Sequence, residues 1–359
     1  MRFEQVTHPD RVVHVGVVGL GMGASHVNWL LKTPGMEVAA LCDLDAERIA
    51  KAQQAIAGAG RAPAAEFGSY DDLLASEGCE ALVLALPIPR NAEFARRGLE
   101  AGRHVLSEKP LATTLADAAR LRRAVRPDGP VYQIGFEMRH SPLVQTVLEA
   151  IQQGKIGRPA AVNYTYVRRS KHSGRSWANE GPECGILFDC GSHIFDLCGL
   201  FAGAPMEQAF AFCSKESDLI PDNPDVGAVA VRFANGVHGT VMFCEFCAQP
   251  DWTHMMIVGD DGKILINPSD AGEFTLYWGK GQHCTHTRIN PASTNPGHLG
   301  MGEQHVEFKN AITEARQPYA DLQVGLESLY LSVGALRSWQ EGLAVSREEL
   351  AREVQAEAR

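Results

Sequence analysis

Lys109 is the residue of this chain whose setting most suggests chemistry. It follows an apolar stretch, Val105-Leu106-Ser107, and stands between Glu108 and Pro110. Proline fixes its own φ and restricts the residue before it to extended backbone, so a lysine here is aimed rather than free. An ammonium held at a strand end can steady an oxygen that is losing its proton. Taken alone, the same residues also describe a strand-ending turn with a solvated lysine and glutamate. A second set lies in Gly185-Ile186-Leu187-Phe188-Asp189-Cys190-Gly191-Ser192-His193-Ile194-Phe195-Asp196. In a helix, Asp189 and His193 share a face, with Asp196 close by. A carboxylate beside an imidazole raises its pKa and orients it, which suits a general base near neutrality. The alternative is a helix-capping aspartate and a satisfied core histidine.

A third stretch points to a nucleotide. The β-branched run Val12–Val18 reads as a strand buried on both faces, and it leads into Gly19-Leu20-Gly21-Met22-Gly23-Ala24-Ser25-His26 and a helix through Leu31. Glycines there let the backbone turn tightly and bring N–H groups to a pyrophosphate at the helix N-terminus. A lone match to this pattern is weak; its place between strand and helix is what gives it weight. The next strand, Glu37–Cys42, ends at Asp43, 24 residues after Gly19, near the spacing of an acid that holds an adenosine ribose 2′-OH. Its charge would repel a 2′-phosphate, which favours NAD over NADP. As an alternative, Asp43 caps a helix over Ala46–Ala57.

The elements that must position these residues follow from periodicity. Strands at Ala81–Leu86 (closed by Pro87-Ile88-Pro89), His104–Ser107 and Val131–Ile134 alternate with helices at Asn91–Ala101 and Leu115–Val125. That alternation predicts a doubly wound parallel sheet. Beyond Gly135 the character changes. A helix over Pro142–Gln153 and a strand over Ala160–Val167 precede a basic segment with Arg168, Arg169, Lys171, His172 and Arg175. That segment is either a solvated loop or an anion site. Strands at Gln208–Cys213, Val226–Phe233, Gly239–Phe246, His254–Val258, Lys263–Ile266 and Glu273–Trp278 suggest one large, mostly antiparallel sheet. Helices near Glu303–Arg316 and Leu322–Gln340 follow, and the polar segment Ala351–Arg359 is expected to fray. The expected division is an α/β Rossmann domain over 1–136 and an α+β substrate and oligomerisation domain over 137–359.

The 359 residues exceed one typical core. A net charge of −10 and a pI near 5.7 argue against a nucleic-acid partner, which needs a basic face. No apolar run reaches the roughly 18 residues of a membrane helix, and Met1–Asp10 lacks the apolar core of a secretory signal. Nine scattered cysteines read as reduced thiols of a cytoplasmic protein. Cys244 and Cys247 fall on a predicted strand, where residues three apart face opposite ways, and His283-Cys284-Thr285-His286 lacks a matching pair, so no metal site is expected.

Together the Gly19–His26 loop, Glu108-Lys109-Pro110, Gly135-Phe136 with Arg139 and Pro142, and Asp189-x-Gly191-x-His193-x-x-Asp196 resemble the Gfo/Idh/MocA family of NAD(P)-dependent oxidoreductases. The likeness runs over nearly the whole chain. It implies that Lys109 contacts substrate hydroxyl and cofactor, that His193 is the acid/base with Asp189 its partner, and that Arg139 lies near the substrate. It places Gly19, Gly21, Met22, Gly23 and Asp43 on the cofactor, with Pro87, Asn91, Glu108, Lys109 and Trp177 around it. It also implies a homodimer or homotetramer formed through the second sheet. Two departures bear on pocket shape: Asn91 stands where relatives often carry histidine, and Glu183-Cys184-Gly185 replaces a glycine triplet. The expected activity is oxidation, or formation by reduction, of a secondary hydroxyl on a sugar, sugar derivative or cyclitol, with Lys109 steadying the alkoxide and His193 taking the proton. Two alternatives share the fold: a glycosidase or lyase that retains NAD for transient oxidation, and a non-catalytic nucleotide sensor.

Overall fold

A computed structural model describes residues 5–169, 185–218, 223–247, 252–266, 274–279, 284–289 and 300–357. The first half alternates strand and helix: β1 (Val13–Val18), α1 (Gly23–Leu30), β2 (Met36–Cys42), α2 (Ala46–Gly58), β3 (Ala65–Phe67), α3 (Tyr70–Ala75), β4 (Ala81–Leu84), α4 (Asn91–Glu100), β5 (His104–Glu108), α5 (Leu115–Ala124) and β6 (Tyr132–Gly135). The strands form one parallel sheet in the order β3-β2-β1-β4-β5-β6, the dinucleotide-binding arrangement. Ala81–Leu84 is buried throughout, as a strand covered on both faces must be. Helix starts carry local signals: Asp45 accepts from the Glu47 N–H at α2, and Thr114 from the Asp117 N–H at α5. Asp45, rather than Asp43, is therefore the cap of α2.

The second half contains α6 (Pro142–Gln152), β7 (Pro159–Val167), α7 (Cys190–Ala202), β8 (Met206–Ser214), β9 (Val226–Phe233), β10 (His238–Cys244), β11 (Trp252–Gly259), β12 (Gly262–Ile266), β13 (Phe274–Trp278), β14 (Thr285–Ile289), α8 (Met301–Thr313), α9 (Leu322–Glu341), β15 (Val345–Ser346) and α10 (Arg347–Glu357). Among the described residues its strands make a nine-stranded sheet, β14-β13-β12-β11-β7-β10-β9-β8-β15. Only the central pair β7 and β10 runs parallel. Burial alternates along β9 and β10, so one face is core, covered by α7 and α9. The register sets Phe212, Ala228, Met242, Thr165 and His254 in one row on the other face, where Phe212, Met242 and Trp252 are exposed.

The late helices return to the first sheet. Phe308, Ala311 and Ile312 of α8 join the core formed by Val13, Val15, Val17 and Leu30. Strand β6 links the two halves as well: Gln133 Nε2 donates to the Gln304 carbonyl (2.9 Å), and the Ile134 N–H donates to the Ala320 carbonyl (2.9 Å). Helix α10 corrects the expectation of a fraying tail. Leu350 and Val354, four residues apart, are fully buried, and the helix packs on α5 and α9. Two apolar residues in a polar run are enough when both meet a groove.

Candidate active site

The loop after β5 carries Lys109, whose peptide bond to Pro110 is cis. Asn91 opens α4 and is fully buried. Its Nδ2 donates to the carbonyls of Glu108 (3.1 Å), Lys109 (3.2 Å) and Pro110 (3.5 Å). Asn91, expected around the cofactor, spends its amide N–H groups on the backbone of the turn that presents Lys109. The Lys109 Nζ lies 2.5 Å from Asp189 Oδ1 and 3.3 Å from the Asp189 carbonyl oxygen. Burial works against the ammonium, but the charges of Asp189 and Glu108 outweigh it and hold the Lys109 pKa above its ordinary value. Lys109 is thus a fixed cation rather than a base.

That pairing corrects the expected His193–Asp189 partnership. Asp189 precedes the first turn of α7 without capping it by its side chain, and its carboxylate is committed to Lys109. His193 is pushed down to about 3, first by burial and then by the Lys109 charge, rather than raised. Its Nε2 faces Glu137 Oε1 at 3.6 Å, and its buried Nδ1 has no partner among the described residues. Glu137 opens a short 3-10 turn over residues 137–140 after β6. Burial, then repulsion from Glu108, pushes its carboxyl up to about 8. Arg139, expected near substrate, donates Nε to both carboxylate oxygens of Asp196 (2.7 and 2.8 Å) and lies over the Tyr319 ring. Its donor is therefore engaged in a buried ion pair between this turn and α7, and Asp196 is drawn away from the Lys109 group.

The glycine loop fits a dinucleotide. Gly19 has φ +82°, and a Cβ there would sit 2.4 Å from the Ala85 carbonyl oxygen. Met22 gives α1 no side-chain cap; the Ser25 N–H turns back to the Met22 carbonyl (2.9 Å), which leaves the N–H groups ahead of it for a pyrophosphate. A Cβ at Gly21 would meet only Arg48 Nη1 at 3.7 Å, whereas one at Gly23 would press on Val17 Cγ1 at 3.1 Å, so Gly23 lets α1 sit close on β1. Asp43, at the end of β2, accepts from the Leu20 N–H (2.6 Å) and the Asp45 N–H (2.9 Å), with Arg48 Nη1 3.7 Å away. Pro87 begins the turn after β4, beside the ends of β1 and β5.

Behind Lys109 runs a buried chain that sequence patterns did not reveal. His305 Nδ1 is 2.6 Å from the Met301 carbonyl, which can only accept, so this nitrogen carries hydrogen. His305 Nε2 then accepts from His26 Nδ1 (3.0 Å), and His26 Nε2 meets Glu108 Oε1 (2.9 Å). A hydrogen bond thus joins the last pair. Burial alone would raise Glu108, but the hydrogen bond and charge of His26 outweigh it and lower its pKa. Burial and the His26 charge hold His305 down at about 3, hence neutral. The other Glu108 oxygen accepts from the Lys109 N–H at 3.2 Å. The wanted signal was present for His26, inside the glycine stretch, but nothing local marks Glu137 or His305.

Arg168, at the end of β7, donates Nη2 to Cys190 Sγ (2.9 Å) and lies over the Tyr166 ring. Arg169 forms an isolated antiparallel bridge with Phe246; Lys171, His172 and Arg175 of the basic segment, Trp177, Glu183, Cys184 and His283 lie outside the described residues. Cys244 and Cys247 do not face opposite ways: β10 ends at Cys244, the chain bends, and the sulfurs come within 3.7 Å. Among the described residues no group of three or more metal-ligating side chains forms, and no helix is long and apolar enough to cross a membrane.

Residues 13–136 match the oxidoreductase family model with an NAD-binding Rossmann fold, and residues 144–265 match the GFO/IDH/MocA C-terminal domain. Inositol 2-dehydrogenase 2 of Saccharopolyspora erythraea is 30% identical over 260 residues, covering 71% of this chain and 74% of that protein. The 1,5-anhydro-D-fructose reductase of Ensifer adhaerens is 25% identical over 91% of this chain and 97% of its own length. Levoglucosan dehydrogenase, solved with NADH and levoglucosan, superposes with a TM-score of 0.81 at 21% identity, over 94% of this chain and 99% of that one. At that identity the likeness establishes the fold.

Proposed function

The chain belongs to the Gfo/Idh/MocA family of oxidoreductases, and from that premise we propose that it interconverts a secondary hydroxyl and a ketone on a sugar, sugar derivative or cyclitol, using NAD. The observation that carries the proposal is the Lys109 ammonium, kept charged by Asp189 at 2.5 Å, on the same sheet edge as the glycine loop and close to His193. The named activities of the inositol and anhydrofructose relatives support the substrate class.

When bound, the nicotinamide supplies the two-electron acceptor; the chain supplies the rest. Gly19, Gly21, Met22 and Gly23 hold the pyrophosphate, and Asp43 takes the adenosine ribose. A 2′-phosphate there would meet the Asp43 carboxylate, which is the ground for NAD over NADP. Lys109 stabilises negative charge growing on the substrate oxygen. Asp189 keeps Lys109 cationic, and Asn91 fixes the turn that presents it. His193, uncharged at neutral pH, accepts the hydroxyl proton. The row of Phe212, Met242 and neighbours on the open sheet face suits coverage by a second copy of the chain.

The test is NADH formation across cyclitols, free aldoses, glycosides and sugar acids, with NAD and with NADP. Stoichiometric NADH from one substrate group is expected, and Lys109→Ala should bind NADH yet lose about 100-fold or more in turnover. Product without net NADH, from protein that retains nucleotide, would instead indicate transient oxidation. Near-wild-type turnover by Lys109→Ala would refute the role of the ammonium.

A further inference from the structure

We propose that His26 and His305 are positioning residues for Lys109: the two buried imidazoles fix the Glu108 carboxylate, and that carboxylate holds the backbone and a negative charge beside the Lys109 ammonium. The inference rests on the oxidoreductase reading above and adds two fully buried residues to it. Every link is a hydrogen bond. The Met301 carbonyl holds His305 through Nδ1 (2.6 Å), His305 Nε2 lies 3.0 Å from His26 Nδ1, and His26 Nε2 lies 2.9 Å from Glu108 Oε1. Glu108 Oε2 accepts from the Lys109 N–H (3.2 Å). With both oxygens taken, the carboxylate cannot turn without breaking a bond on one side or the other.

Packing fixes both ends of this chain. A Cβ at Gly302 would lie 2.8 Å from the Trp29 ring, so α8 sits close on α1 and brings His305 to His26. On the other side, a Cβ at Gly135 of β6 would lie 3.2 Å from the Glu108 Cα and 3.4 Å from its carboxyl carbon. The carboxylate is clamped between β6 and His26. Two buried imidazoles are a costly way to join two helices, since apolar side chains would fill the same space without desolvating ring nitrogens. What Glu108 reaches accounts for them. It acts on Lys109 alongside Asp189 and Cys190, on His193 alongside Lys109 and Asp189, and on Glu137 alongside Lys109 and Asp196. Burial favours the neutral carboxyl, and His26, ahead of Lys109 and His193, reverses that. Loss of His26 therefore takes from the site both an orientation and a charge.

Protein labelled with 13C at the glutamate carboxyls reads the central link without substrate or nucleotide. The resonance missing from Glu108→Gln belongs to Glu108, and in wild type it should titrate below the ordinary glutamate value of about 4.3. In His26→Phe it should titrate above that value. In His305→Phe it should move the same way, although His305 does not touch Glu108. Both variants should lose at least about tenfold in kcat, with NADH affinity changed less than about threefold. Glutamine keeps a polar group near Nε2: in His26→Gln an amide donor toward Glu108, in His305→Gln an oxygen toward His26 Nδ1. These two variants should restore most of kcat and the wild-type titration. His305→Phe serves alone should His26→Phe not fold. A merely structural link between α1 and α8 predicts a lower melting temperature with the Glu108 titration unmoved. That result, or glutamine variants no better than the phenylalanine ones, overturns the proposal. Should the wild type make no NADH from any substrate, the oxidoreductase reading fails by itself, while the carboxyl titration still decides whether the imidazoles hold Glu108.

Discussion

Replacing Asp189 by asparagine probes the pair on which the site is built. The substitution keeps shape and removes the charge 2.5 Å from the Lys109 ammonium. Lys109 and Asp189 side chains are 17% and 9% exposed, so water does little to replace the lost partner. Breaking a buried pair from one side costs about 3–5 kcal/mol. At about 1.4 kcal/mol per unit, this lowers the Lys109 pKa by about 2–3.5 units. The wild-type group stands above its ordinary value, so the loss brings the variant's ammonium back to about the ordinary lysine range, and its charge is lost at lower pH than in wild type. In wild type, the raised folded pKa gives stability that is present below the unfolded value and lost only as pH rises through the folded one. In Asp189→Asn the folded and unfolded values come together, so this contribution and its alkaline loss both disappear. Thermal unfolding from pH 6 to 10, beside NADH formation over the same range, reads both effects. The variant should unfold several degrees earlier at pH 7, keep most of that deficit up to pH 10, and lose turnover at alkaline pH where wild type holds its rate. Equal melting at pH 7 with parallel rate profiles would show that Asp189 does not hold the charge on Lys109.

Two further substitutions address the scaffold and the cofactor. Asn91→Ala leaves three carbonyls of the Lys109 turn without their shared donor and should cost about 1–3 kcal/mol in denaturant unfolding; kcat should fall more than NADH affinity, and an unaltered kcat would mean the turn holds its shape unaided. Asp43→Ala removes the carboxylate beside the glycine loop and should weaken NAD binding while narrowing discrimination against NADP, measured by titrating both nucleotides; an unchanged ratio would remove Asp43 from cofactor choice.

The first sheet was legible because its signals are local: a buried run, a glycine turn, a proline after Lys109, each within a few residues. The second sheet was legible from period-two alternation. Partner choice was not. Helical spacing correctly predicted a helix carrying His193, but not that Asp189, just before that helix, would turn to a lysine 80 residues earlier. Glu137 and His193 are brought together across 56 positions, and His26 and His305 across 279. Periodicity tells which face a residue takes, not which charges another element brings to it. The Cys244–Cys247 error had the same root, since the strand's alternation stops where the strand stops.

The return of α8 to β1 and α1 also has a consequence for biogenesis. Phe308, Ala311 and Ile312 close a core whose other members lie before residue 132. A ribosome adding 5–20 residues per second needs roughly 10–35 s to travel from the end of β6 to the end of α8. For that interval the nascent Rossmann sheet exposes the apolar flank that α8 will cover, and His26 lacks its second imidazole. The nucleotide site is the first part of the protein to be synthesised and among the last to be finished, so premature termination anywhere in the second sheet would release a chain with a sticky, unfinished cofactor domain.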